Sequence, residues 1–116
     1  ALCHMSAPEA KLSYEIDAKI SKNSKSKPLY ELFLKWAISS KVDGIIVGAT
    51  YPKIINHCKK ISGSNLDIYS PGIGTQGGNA KNAISNGSDF LIVGRTIIGS
   101  KNPAATAKKM LLSLQN

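Results

Sequence analysis

Short apolar runs alternate with segments whose apolar residues recur at helical spacing, and the alternation repeats four times along the chain. The first run, Ala1-Leu2-Cys3-His4-Met5, predicts a strand over residues 1–6 that ends at Ser6. A mixed segment follows, with a helix expected over Ala10–Ile20. It passes into Ser21-Lys22-Asn23-Ser24-Lys25-Ser26-Lys27, a polar tract expected to be a mobile loop. Pro28 suits a helix start, and Leu29, Leu32, Phe33, Trp36 and Ala37 fall on one face of the helix behind it.

The second run, Val42 to Gly48, does not alternate, as expected for a parallel strand covered on both faces. Ile54, Ile55, Cys58 and Ile61 make the next helical stripe, closed by Ser62-Gly63. Leu66-Asp67-Ile68-Tyr69 then leads through a glycine-rich stretch into a short helix with Ala80, Ala83 and Ile84 inward, ended by Asn86-Gly87. The last run is Asp89-Phe90-Leu91-Ile92-Val93. After a Gly94-Arg95 turn, Asn102-Pro103 supplies a cap and a first-position proline for a final helix. Its expected buried stripe is Ala107, Met110, Leu111 and Leu114.

Strand–helix units in series imply an α/β fold with parallel pairing and right-handed crossovers. A closed (β/α)₈ TIM barrel takes about 250 residues. Four units in 116 residues therefore predict half of such a barrel, a single domain over 1–116. A half-barrel leaves two strand edges unpaired and one sheet face without a core. Association with a missing N-terminal half, or with a second copy of itself, is expected. The opening run carries neither an initiator methionine nor a helix cap, so the chain reads as a fragment that starts within a strand.

The candidate chemistry lies in two loops. Ser70-Pro71-Gly72-Ile73-Gly74-Thr75-Gln76-Gly77-Gly78 and Val93-Gly94-Arg95 each follow an apolar run. Four glycines within residues 72–78 free the backbone for positive φ and are expected to bring bare N–H groups against a ligand. An oxyanion suits a loop that opens a helix, and in barrels the loops after the last two strands commonly hold phosphate. Arg95 is the only arginine, and its planar fork binds phosphate bidentately as lysine does not. Segments 70–78 and 93–96 are thus expected to grip one phosphate. The Gln76 amide would donate to a phosphate oxygen. Ser6, at the strand end where barrel active sites lie, would hydrogen-bond a base edge.

Composition changes this picture little. The 42% hydrophobic content is that of a globular domain. The net charge of +8 raises a nucleic-acid partner, but 14 of the 15 basic residues are lysines that do not interleave with aromatics. No nucleic-acid partner is expected. No run approaches the roughly 20 residues that span a bilayer, and no leader pattern is present, so neither a membrane nor a secretory setting is expected. Cys3 and Cys58 form no disulfide or zinc pattern, which points to a reduced, cytoplasmic setting.

The acids are placed away from the loops. Asp43, Asp67 and Asp89 stand at strand starts, the barrel face associated with stability. Glu15, Asp17 and Glu31 fall on helices or on the segment after the first strand, and Glu9 alone follows a strand end. With no carboxylate pair and no lysine at a strand end, the chain offers binding groups without acid–base groups. His4 and His57 lack metal spacing and read as structural or exposed.

Met5-Ser6, the Ser70–Gly78 stretch, and Ile92-Val93-Gly94-Arg95 followed by Asn102-Pro103 resemble the orotidine 5′-monophosphate decarboxylases, particularly their archaeal members. The resemblance covers essentially the whole chain as strands five to eight of that barrel. It implies part of a lyase, free of metal and cofactor, that converts orotidine monophosphate (OMP) to uridine monophosphate (UMP) and carbon dioxide in pyrimidine biosynthesis. On this resemblance Ser6 would contact the pyrimidine ring, and Pro71 and Ile73 would line the pocket. Gln76 would bridge the phosphate to Ser6, while the Gly94 N–H and Arg95 would hold the phosphate. Residues 7–27 match the lid after strand five. The family's lysine and aspartate network lies on strands two and three, so no catalytic residue and no independent turnover are expected here. Two alternatives stay open: half of another sugar-phosphate-binding barrel lyase, or a non-catalytic half-barrel that self-associates as a dimer.

Overall fold

Branched residues at Ile45, Ile46, Val47, Ile68 and Ile92 favour extended backbone, and in the computed structural model the runs that contain them are strands. The structure describes residues 1–115; residue 116, the last of the expected domain, lies outside them. The elements are β1 (Leu2–His4), α1 (Lys11–Tyr14), β2 (Asp17–Ala18), β3 (Lys27–Pro28), α2 (Leu29–Ser39) and β4 (Gly44–Val47). They continue as α3 (Pro52–Ser62), β5 (Asp67–Pro71), α4 (Ala80–Ser85), β6 (Phe90–Ile92), α5 (Arg95–Ile98) and α6 (Pro103–Gln115). One parallel sheet runs in the order β1-β4-β5-β6, and β2-β3 form a separate antiparallel ribbon. This is the architecture of half an α/β barrel.

The two faces of the sheet differ sharply. Toward the helices, Cys3, Ile45, Val47 and Ile68 are buried against Leu34, Ala37, Ile55 and Cys58. Burial of each large aliphatic side chain stabilises the fold by about 1.5–3 kcal/mol. On the other face, the strand register sets Leu2 beside Ile46, Ile46 beside Tyr69, and Tyr69 beside Phe90. Tyr69 stacks on Phe90 with ring centroids 4.8 Å apart. Leu2, Phe90 and Ile92 are nonetheless exposed. An apolar row across an open face is what one layer of a barrel interior looks like without the facing strands. The non-alternating run at 42–48 is explained by that arrangement, although of its large side chains Ile45 and Val47, which face the helices, are buried and Ile46 is half-buried.

Several expectations are corrected. The helix over 10–20 shrinks to a 3₁₀ turn at Pro8–Ala10 and α1, because Asp17 and Ala18 leave it to pair with Pro28 and Lys27. Residues 21–26 form the loop expected there, joining the two arms of a ribbon, and Lys27 already belongs to β3. Ser24 Oγ donates to the Ser21 carbonyl at 2.9 Å, a local bond that closes the tip. Pro28 is the residue before α2 rather than its first, held extended at ψ 139° by the ribbon.

The helical stripes hold in part: Leu32 and Ala37 of α2, Ile54, Ile55 and Cys58 of α3, and Ala83 of α4 are buried as expected. Trp36, by contrast, is 53% exposed, and the buried side of α2 also takes in Tyr30, Glu31 and Leu34. Trp36 and Phe33 turn toward the free edge of β1, where they line a shallow groove with Leu2. Ile61 and Ile84 are exposed, with Ser62 taking the buried place next to Ile61. Along α6, Leu111 is 60% exposed, and no described residue of that helix is fully buried. Its start is as expected, with Asn102 Oδ1 accepting the Ala105 N–H at 3.0 Å.

Glu31 ties the ribbon to two helices. It accepts from Lys27 Nζ at 2.8 Å and faces His57 Nε2 at 2.8 Å. The Lys27 hydrogen bond is the main reason its carboxyl is held below the ordinary 4.5; burial opposes the shift and His57 adds to it. A carboxyl lowered in the folded state stabilises the fold above its unfolded pKa, and the gain is lost as pH falls through the folded value. The thermal midpoint should therefore drop on acidification below pH 4.5, and the drop should shrink in Glu31→Gln. An acid limb of unchanged size in that variant would show that Glu31 does not cause it.

Candidate functional site

Pro71 ends β5, and the chain then folds back on itself through three glycines with positive φ: Gly72 (94°), Gly74 (77°) and Gly77 (88°). These angles explain the residue type, since a Cβ there is strained. The loop's own backbone uses much of its polarity. Gly74 N–H donates to Gly78 O, Gly77 N–H to Gly74 O, and Gly78 N–H to Gly72 O, at 2.8–3.0 Å. The glycines thus shape a compact turn, and three of the amides expected to be bare are spent inside it. What the turn offers outward is the side chain of Gln76.

Gln76 reaches back across the sheet. Its Oε1 accepts from Ser6 Oγ at 2.9 Å, joining residues 70 positions apart. Ser6 is almost buried, and Thr50 Oγ1 donates to its carbonyl at 2.9 Å. Gly72 must be bare for this meeting, because a Cβ on it would lie 2.6 Å from the Ser6 Cβ. Ser6, Pro8, Lys11, Thr50, Tyr51 and Gln76 together line a cleft of about 320 Å³. Thr50, Tyr51 and Lys11 were not singled out from the sequence. They sit outside any motif: the parallel pairing of β1 with β4 brings Thr50 and Tyr51 to Ser6, and α1 brings Lys11.

A second cleft lies on the other side of Gln76. Pro71, Gly72, Ile73, Thr75, Gln76, Ile92, Gly94 and Arg95 line about 190 Å³. Of the expected site residues, Pro71, Ile73, Gln76, Gly94 and Arg95 therefore share one cleft, and Ser6 joins them through Gln76. Arg95 opens α5 directly after the Gly94 cap. It is exposed and makes no ion pair among the described residues. In this four-residue helix the Ile97 and Ile98 N–H groups already donate to the Gly94 carbonyl, at 2.9 and 3.1 Å.

The segment after β1 caps the Ser6 side. Tyr51 Oη donates to the Ala7 carbonyl at 2.9 Å, and His4 Nε2 faces Glu15 Oε1 at 3.2 Å. His4 is fully buried, its ring 4.4 Å from that of Tyr51. Both histidines are thus partners of carboxylates, as a structural reading requires. At the opposite end of the sheet, Asp89 pairs with Lys59 at 2.8 Å and accepts the Ile68 N–H at 2.8 Å. Burial pulls its carboxyl up, but Lys59 and the Ile68 amide outweigh it and hold it below the usual range. Burial pushes the Cys3 thiol up to about 11 and Cys58 to about 12, so both are inert, protonated core residues. Among the described residues, no cluster of three histidine, cysteine or acidic side chains could hold a metal. No helix among the described residues is long and apolar enough to cross a membrane.

Four parallel strands, helices packed on one face, and two clefts at the strand C-terminal ends define the class: half of a (β/α)₈ barrel. Residues 1–110 match the orotidine 5′-phosphate decarboxylase / HUMPS family, and the chain belongs to that family. Orotidine 5′-phosphate decarboxylase of Methanococcoides burtonii is 40% identical over 84 residues, which are 72% of this chain and 39% of the relative. The enzyme of Pyrococcus horikoshii is 38% identical over 81 residues, covering 70% and 39%. Among solved structures, the decarboxylase of Methanocaldococcus jannaschii complexed with the inhibitor BMP superposes with a TM-score of 0.80 at 28% identity. That match takes in 99% of this chain and 48% of the other. The Pyrococcus horikoshii structure gives 0.75 at 30% identity, covering 99% and 50%. The chain thus spans about half the length of these two solved structures, and about two fifths of these sequence relatives.

Proposed function

We propose that this chain is the nucleotide-gripping half of an orotidine 5′-monophosphate decarboxylase, acting with an N-terminal half that carries the catalytic lysines and aspartates. The reading rests above all on the Ser6–Gln76 hydrogen bond. Because Ser6 donates to Gln76 Oε1, the Gln76 amide nitrogen is left as a donor between the two clefts. A nucleoside monophosphate fits that division. Its phosphate would lie against Arg95, the Gly94 N–H and the Gln76 amide, and its pyrimidine against Ser6, with Pro71 and Ile73 along the wall.

Such a half contributes through binding rather than bond-breaking. Phosphate held far from the reacting carbon stabilises the closed, water-free state in which the carboxylate leaves. The lid would be residues 7–27, anchored by Tyr51 and by the His4–Glu15 pair. The proton and charge steps would belong to the other half, and this chain by itself would turn over nothing. The apolar row Leu2, Ile46, Tyr69 and Phe90 would meet the missing strands. A second copy of the chain is the competing occupant of that face. A cytoplasmic setting belongs to the same proposal, supported by two buried free thiols.

The test is complementation. This chain is mixed with a strand-one-to-four half from an archaeal relative, and carbon dioxide release from OMP is followed. Activity is expected in the mixture and in neither half alone. A mixture that associates yet neither decarboxylates OMP nor binds UMP would refute the reading. Mass measurement of the chain alone shows in parallel whether it pairs with itself.

A further inference from the structure

Two loops must hold fixed positions relative to each other if one anion is to touch both, and a single hydroxyl joins them. Thr96 follows Arg95 on the first turn of α5. Its Oγ1 donates to the Ile73 carbonyl at 3.0 Å and accepts the Thr75 N–H at 3.3 Å. Those two groups belong to the turn that presents Gln76. The turn approaches so closely that a Cβ on Gly74 would run into the Thr96 hydroxyl, and Gly74 holds a φ of 77° there. The turn is therefore fastened on both sides, to Ser6 through Gln76 and to α5 through Thr96.

We propose that Thr96 is a positioning residue for phosphate recognition: its hydroxyl locks the glycine turn against α5, so that Gln76 and Arg95 face the same anion before ligand arrives. This rests on the phosphate reading given above. The physical advantage is preorganisation. A loop already in place loses less freedom on binding, so more of the interaction with the anion appears as affinity. Valine has nearly the shape of threonine but can neither donate to Ile73 nor accept from Thr75. Serine keeps both bonds.

Wild type, Thr96→Val, Thr96→Ser and Arg95→Ala, each in the assembled form used for complementation, are titrated with UMP and with uridine. The expected result for Thr96→Val is about tenfold weaker UMP binding, with uridine binding and thermal midpoint unchanged. Hydrogen exchange at Thr75 and Gly74 should quicken in the ligand-free protein. Thr96→Ser should restore both properties. The proposal is overturned if Thr96→Val binds UMP within twofold of wild type while Arg95→Ala does not. It is equally overturned if Thr96→Val weakens UMP and uridine alike, which marks general loosening. Should the valine form fail to fold, the serine form decides: tenfold weaker UMP binding with both bonds retained refutes the role. If Arg95→Ala also leaves UMP affinity intact, the phosphate reading itself is what fails.

Discussion

Arg95→Ala is expected to weaken UMP binding by about 100-fold or more while leaving uridine binding unchanged. A hydrogen bond to a charged group contributes about 1.5–3 kcal/mol, and a bidentate guanidinium makes two. Loss of roughly 3 kcal/mol corresponds to about a hundredfold in Kd. Arg95 is exposed and has no carboxylate partner among the described residues, so its removal leaves no buried charge behind. The thermal midpoint should accordingly stay put. Arg95→Lys restores a charge without the planar fork and should recover only part of the affinity. Titration calorimetry against both ligands distinguishes these outcomes. Equal affinity of Arg95→Ala and wild type for UMP would mean that the cleft between the two loops is not where the phosphate sits.

The second large effect concerns the frame that holds Ser6. A Cβ at Gly48 would lie 2.5 Å from Ser6 Cα, 2.6 Å from Ser6 N and 2.7 Å from the Met5 carbonyl oxygen. All three are backbone atoms, so no rotamer change relieves the clash. Gly48 also donates its N–H to His4 O at 3.0 Å, a bond that the same displacement would break. Gly48→Ala should therefore cost about 2–4 kcal/mol. That is a large share of the ~5–15 kcal/mol typical of a domain. Denaturant midpoints measure it directly. A loss under about 0.5 kcal/mol, the range of ordinary surface changes, would show that β1 and β4 do not meet as described. Because Thr50 and Ser6 hang on that junction, UMP affinity should fall together with stability, unlike in Arg95→Ala.

The architecture could be read from periodicity because each strand–helix unit is a local pattern. Ile45, Val47 and Ile68 form strands for their branched side chains, and Asn79 and Asn102 cap helices through bonds three residues long. The glycine turn was legible for a similar reason: φ values of 94°, 77° and 88° demand glycine wherever they occur. Arg95 stood out by being the only one of its kind.

What the chain's pattern left undetermined was which side of each element meets which neighbour. Trp36, Ile61, Ile84 and Leu111 fit their stripes by spacing, yet they lie exposed because burial follows the direction of a partner, and spacing carries no direction. The ribbon of β2 and β3 depends on pairing across a turn that serine side chains close, a bond set invisible to hydropathy. Above all, the sequence by itself determined the residue types of the two loops, while only the tertiary structure decided their use. It spent three of the glycine amides within the turn, aimed Gln76 at Ser6, brought Thr50 and Tyr51 to the cleft at Ser6, and fastened Thr96 to the turn. The reason is physical: local backbone preference is written in neighbouring residues, whereas contacts between residues 6 and 76 or 73 and 96 exist only after parallel strands are laid side by side.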